Sequence, residues 1–181
     1  MRLDEPWPRD TAVTEVANWN PDIVADRGTL HLTWWYLGDR TLGYARADEG
    51  GSFELDRVDA GPTTGLAPAI TLDRAGEPVI VHRTDGAALL ISRREGGEWR
   101  TFEPFPGRLV EYGADLTTAA DGRLLGCFGD ADGLYLLRES GDRWVADQVA
   151  RGEASACSIG LGPDGALHLV ALIDGVVTYA Y

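Results

Sequence analysis

The sequence predicts an all-β fold, a four-bladed β-propeller with four antiparallel strands per blade. Three observations carry that expectation: a fourfold internal repeat, an abundance of short glycine turns, and a circularly shifted start. Glycine supplies 23 of 181 residues, and the glycines sit beside Asp, Arg and Ala in tight turns between apolar stretches. Four segments align with one another: Pro21 to Gly28, Pro68 to Gly76, Ala114 to Gly122 and Cys157 to Gly165. Their starts are spaced by 47, 46 and 43 residues, the period of a propeller blade.

Each aligned segment reads as an inner strand ending in a turn. A second apolar strand follows the turn: Leu30 to Trp35, Val79 to His82, Leu124 to Phe128 and Leu167 to Ile173. Third strands come next at Leu42 to Ala45, Leu89 to Ser92, Leu134 to Leu137 and Val177 to Ala180. A glycine turn then leads to a fourth strand that opens near an aromatic residue, at Ser52 to Leu55, Glu98 to Thr101 and Arg143 to Ala146. The last repeat has no fourth strand after Tyr181. Pro6-Trp7-Pro8-Arg9 through Val13 carries the equivalent aromatic, so the N-terminal strand is expected to complete the C-terminal blade and close the ring, hiding two sheet edges. The blades fall at about 21–58, 68–105, 114–149 and 157–181 plus 6–16, in a single domain of residues 1–181.

Composition narrows the function. The 29 acidic against 16 basic residues give a net charge of −13, a field that repels nucleic acid phosphates and anionic lipid. Neither nucleic acid nor membrane is expected as a partner. All 16 basic residues are arginine, so lysine Schiff bases, pyridoxal phosphate attachment and the P-loop are excluded. No cofactor is expected, and no metal. His31, His82 and His168 are too scattered for zinc, and Asp130-Ala131-Asp132-Gly133 lacks the remaining ligands of a calcium loop. Met1 to Asp10 is polar, unlike a secretory leader, which points to the cytoplasm. Cys127 and Cys157 are accordingly read as two separate buried hydrophobes. A monomer is expected, with two chains completing an eight-bladed ring as the alternative.

The stretches Pro68-Ala-Ile-Thr-Leu-Asp-Arg-Ala-Gly-Glu-Pro-Val79 and Gly165-Ala-Leu-His-Leu169, with Leu42-Gly-Tyr-Ala45 and Gly96-Gly-Glu-Trp99, resemble sialidase-like bacterial propeller repeats. The resemblance implies the fold. That superfamily contains glycosidases and lectins alike, and the Ser-x-Asp-x-Gly-x-Thr-Trp box is absent here from every repeat.

The turns at one end of the blades are stereotyped, as in Asp26-Arg27-Gly28 or Asp164-Gly165, whereas the connectors at the other end vary in length and content. Function is expected at the variable end. There, Asp22 and Asp115 share a repeat position in blades one and three and would face each other across the axis. Trp19, Trp35, Tyr36 and Tyr112 would provide stacking surfaces, with Arg83 and Asp115 orienting a small molecule or carbohydrate. If the protein were instead a cofactor-independent acid–base enzyme, a lyase, cyclase or isomerase, Asp22, Asp115, His82 and Glu111 would be its proton carriers. A protein-interaction scaffold is the third reading.

Overall fold

The computed structural model describes residues 18–36, 40–48, 51–58, 61, 63–110, 112–141 and 143–181. They form a four-bladed β-propeller without helices. Blade one holds β1 (Asn18–Asp26), β2 (Thr29–Tyr36), β3 (Thr41–Ala47) and β4 (Glu54–Val58). Blade two holds β5 (Leu66–Leu72), β6 (Pro78–Arg83), β7 (Leu89–Glu95) and β8 (Glu98–Phe102). Blade three comprises β9 (Ala114–Thr118), β10 (Leu124–Gly129), β11 (Gly133–Ser140) and β12 (Arg143–Arg151). The fourth sheet has β13 (Ala154–Leu161), β14 (Leu167–Ile173) and β15 (Val176–Ala180). Every sheet is an antiparallel meander in chain order, as short glycine turns require. The strand expected over residues 6–16 lies outside the described residues.

Strands pleat with period two, so each blade has one face toward its predecessor and one toward its successor. Both faces must be apolar for blades to stack. Leu42, Tyr44 and Val58 of blade one bury against Ile70 and Ile80 of blade two. Val79, Val81, Leu89 and Ile91 continue into Leu116, Leu124, Phe128 and Leu137 of blade three. Cys127 and Leu134 then meet Ala154, Ile159, Leu169 and Ile173 of the fourth sheet. The core is therefore three interblade seams. The inner strands pack in succession, β1 on β5, β5 on β9 and β9 on β13.

Polar links stitch the same seams where the inner strands lie side by side. Asp22 Oδ2 accepts the Ile70 amide at 2.8 Å, joining blades one and two. The Thr71 and Thr118 hydroxyls are 2.9 Å apart across the second seam, and Thr118 donates to the Leu72 carbonyl. Asp115 Oδ2 accepts both the Ser158 hydroxyl at 2.8 Å and the Ile159 amide at 2.9 Å, across the third. Further out, the Trp99 indole donates to Asp56 at 2.9 Å and Arg93 pairs with Glu139 at 2.9 Å.

The boundary between the fourth sheet and the first differs. Ile23 is 56% exposed, whereas Ile70, Leu116 and Ile159 at the same repeat position are 4, 6 and 8% exposed. On the opposing side Val177 and Tyr179 are open to solvent, while their counterparts Leu42 and Tyr44 are enclosed.

One sequence expectation is corrected. Cys127 and Cys157 are bonded to each other, across 30 residues of chain with Cα atoms 6.2 Å apart. The link ties β10 to β13. Spacing alone did not reveal it because the two cysteines meet only when blade three turns its edge-facing side onto the inner strand of the next sheet. Closing a loop of this length restricts the unfolded chain by about 3–4 kcal/mol. Replacing both cysteines with alanine is expected to lower unfolding stability by that order, measured by denaturant titration against the oxidised protein.

Candidate functional site

Where the inner strands begin, a cavity of about 300 Å³ opens at the variable end of the channel. All four blades contribute to its lining: Asn20, Pro21 and Asp22, then Ala67, Pro68 and Ala69, then Tyr112, Gly113, Ala114 and Asp115, then Ala156 and Cys157. The expectation that Asp22 and Asp115 converge near the axis can be compared directly with this lining, since both belong to it. The Asp115 carboxylate is engaged on both oxygens, Oδ1 taking the Leu116 amide at 2.8 Å and Oδ2 the two groups of the fourth sheet. Asp22 holds the Ile70 amide through one oxygen. The first duty of both groups is thus to fasten neighbouring inner strands.

The mouth is shaped by a kink that the sequence reading missed. Asn20, Ala67 and Gly113 occupy one repeat position, two residues before Asp22, Ala69 and Asp115, and all three have positive φ, at 50°, 47° and 99°. In β1 and β5 the strand register shifts there, between Trp19 and Asp22 and between Leu66 and Ala69. Pro21 and Pro68 follow the kinked residues, and proline has no amide to offer the ladder. Left-handed backbone at a non-glycine residue costs on the order of 1–2 kcal/mol, and such strain gathers at binding sites. Gly113 is glycine for a further reason: a Cβ there would sit 3.1 Å from that of Ala67. The Asn-Pro and Ala-Pro pairs were the available signal.

The aromatic candidates separate. Tyr112 is 48% exposed at the cavity rim. Trp35 is 8% exposed, so blade packing takes up most of its ring. Tyr36 is half-buried at the end of β2, and Trp19 lies opposite Trp35 in the β1–β2 register. Arg83 ends β6, half-buried, opposite Leu66 and Leu89. Glu111 lies outside the described residues.

His82 is 1% exposed and distant from proton traffic. The Gly65 amide donates to its Nδ1 at 3.2 Å. That places the ring proton on Nε2, which donates to Ser92 Oγ at 2.9 Å, and Ser92 in turn reaches Thr101 Oγ1 at 2.7 Å. Burial without a counter-charge pushes the imidazole down to about 3. Gly65 is held to glycine by φ of +89° and by Leu42, 2.9 Å from where a Cβ would stand. His31, at the opposite end, is likewise enclosed, its Nδ1 2.7 Å from the Tyr44 hydroxyl; burial lowers its pKa, aided by the Arg46 charge.

A second cavity, of about 650 Å³, adjoins the same end and is lined by Pro104 to Leu109 and by Asp130 to Asp132. Its floor is Arg108, whose guanidinium carbon lies 3.7 Å above the Tyr135 ring centre and whose Nε donates to Asp130 at 2.8 Å. None of the site residues expected from the sequence lines this second cavity. Its signal, the Phe105-Pro-Gly-Arg108 run, becomes legible only beside the β10–β11 turn. Among the described residues, no group of three or more His, Cys, Asp or Glu is placed to hold a metal ion. Among the described residues, likewise, no helix is long and apolar enough to cross a membrane.

No protein-family model and no curated protein matches this sequence. Solved structures do. The chain superposes on a protein of unknown function from Dyadobacter fermentans with a TM-score of 0.65 at 13% identity, covering 90% of this chain and 67% of that one. It superposes on the BP39L lectin of Burkholderia pseudomallei with a TM-score of 0.64 at 12% identity, covering 98% and 59%. For an exo-β-1,3-galactanase from Phanerochaete chrysosporium, crystallised with β-1,3-galactotriose, the TM-score is 0.63 at 14% identity, covering 91% and 46%. At these identities the likeness is one of fold, and this chain spans from under half to two thirds of those three chains.

Two outcomes are expected from this geometry. A buried histidine with a depressed pKa stabilises the fold fully above the unfolded value near 6.5 and loses that contribution as pH falls toward about 3. Stability should therefore decline below pH 6.5 by up to about 1.4 kcal/mol per pH unit from this group. NMR should show His82 neutral, protonated on Nε2, throughout pH 5–8. Separately, Asp115→Ala should lower stability by about 2 kcal/mol, the scale of hydrogen bonds to a charged group, and Ser158→Ala by less, read by chemical denaturation.

Proposed function

We propose that this protein is a carbohydrate-recognition module of the sialidase-like propeller type, taking a neutral saccharide at the variable end of its channel. The observation that carries the reading is the channel-mouth cavity, built from all four inner strands and rimmed by the half-exposed Tyr112. An exposed aromatic ring beside fixed carboxylate and backbone acceptors suits a sugar, whose apolar face stacks while its hydroxyls donate. The surrounding acidic field disfavours an anionic ligand. The lectin and the galactanase among the structural neighbours support a saccharide as the ligand class.

The geometry favours recognition over acid–base catalysis. His82 is sealed and uncharged at neutral pH, and Asp115 spends both oxygens on the backbone and Ser158. The Cys127–Cys157 bond supports an oxidising compartment rather than the cytoplasm that the N-terminal residues suggest.

Binding to an array of neutral and uronic-acid glycans tests the function. A neutral saccharide should bind, and Tyr112→Ala should weaken it about tenfold, the scale of one lost stacking contact. Absence of binding to every glycan, or binding indifferent to Tyr112, would overturn the assignment.

A further inference from the structure

The connector from β8 to β9, residues 103–113, borders both cavities: Leu109 walls the larger and Tyr112 the smaller. These are its two exposed large apolar side chains, at 58% and 48%. Three peptide units separate them, so their Cα atoms stand at most about 11 Å apart. One segment thus sets two apolar platforms side by side on the variable end, a spacing that two linked sugar rings can bridge.

Arg108 gives the larger cavity a fixed polar floor. Its guanidinium is held by three contacts: its carbon is 3.7 Å from the Tyr135 ring centre and 5.2 Å from that of Phe128, and its Nε is 2.8 Å from Asp130 Oδ2. Asp130 is itself buried, and its other oxygen receives the amides of Asp132 and Gly133 at 2.8 and 3.0 Å. The arginine is therefore immobilised before any ligand arrives, and less side-chain entropy is lost on binding. Its charge is also matched by a buried carboxylate, so the cavity carries no excess positive charge to attract an anion.

Resting on the saccharide reading above, we infer that the ligand is an uncharged oligosaccharide of at least two units. It runs along the connector, one unit against Tyr112 in the channel mouth and the next against Leu109 over Arg108. Both cavities are of ligand-binding size, roughly 300–1,000 Å³; along the path Asp22 and Asp132 accept hydroxyls and, with Asp115, repel carboxylates.

Calorimetric titration of the full chain with the neutral mono-, di- and trisaccharides and the uronic-acid disaccharides of the array decides the matter. The expected result is at least tenfold tighter binding of the disaccharide than of its monosaccharide. Leu109→Ser, an exposed change checked by an unaltered melting temperature, should erase most of that gain and leave the monosaccharide affinity unchanged, whereas Tyr112→Ala weakens both. Equal affinity for one and two units, or a Leu109→Ser variant that binds the disaccharide like the parent, overturns the two-unit site while leaving the saccharide function standing. Preference for the uronic acids overturns the uncharged ligand. Binding of no glycan at all removes the function itself, and this inference with it.

Discussion

The lateral contact between successive inner strands is the constraint on which the rest of this structure depends. Four sheets of modest size cannot bury their faces alone, because each has two apolar sides and no helix to cover either. They gain stability by stacking, and the stacking is registered close to the axis by a few polar links: Asp22 to the Ile70 amide, Thr71 to Thr118, and Asp115 to Ser158 and Ile159. A carboxylate that accepts an amide from the neighbouring strand sets that strand's height to within a hydrogen bond, which apolar packing by itself does not. Further from the axis the seams are mainly apolar, with the Trp99–Asp56 and Arg93–Glu139 links set at their outer strands.

That constraint also explains the channel mouth. The inner strands must approach one another along most of their length, yet three of them open with a left-handed residue at the same repeat position. The kinked residues Asn20, Ala67 and Gly113 all line the cavity beside the stitched level. In blades one and three the kinked residue is followed two places later by the carboxylate that anchors the next inner strand. The strain of the kink is tolerated because the stitches below it hold.

Much of the architecture was legible in the residues. The glycine turns, the period and the apolar runs located the strands from β2 to β15; the variable connectors line two cavities, and two more, of about 410 and 290 Å³, lie among the stereotyped turns around Arg27 and Gly76. The limits were physical rather than statistical. His82 reads as a candidate acid or base from its place beside Arg83, but it is buried, and its own blade supplies its partners, the Gly65 amide just before β5 and the Ser92 hydroxyl of β7. Trp35 reads as a stacking surface, yet it is buried in the fold. Arg108 carries no motif. Its orientation arises from Tyr135 and Asp130, which reach it across the third blade.

The sequence by itself determined the element order, the fourfold repeat, the acidic field and the absence of lysine, because these follow from local spacing and composition. Only the tertiary structure decided which side chains are committed to contacts and which remain exposed. Asp115 is committed to the next sheet, Cys127 is bonded to Cys157, and Tyr112 and Leu109 are left exposed on one connector. Each of those outcomes is a contact, or a lack of one, between residues about 30 or more positions apart or between a loop and solvent. Such relations are set by how blades stack about the axis, and no periodicity along the chain encodes them.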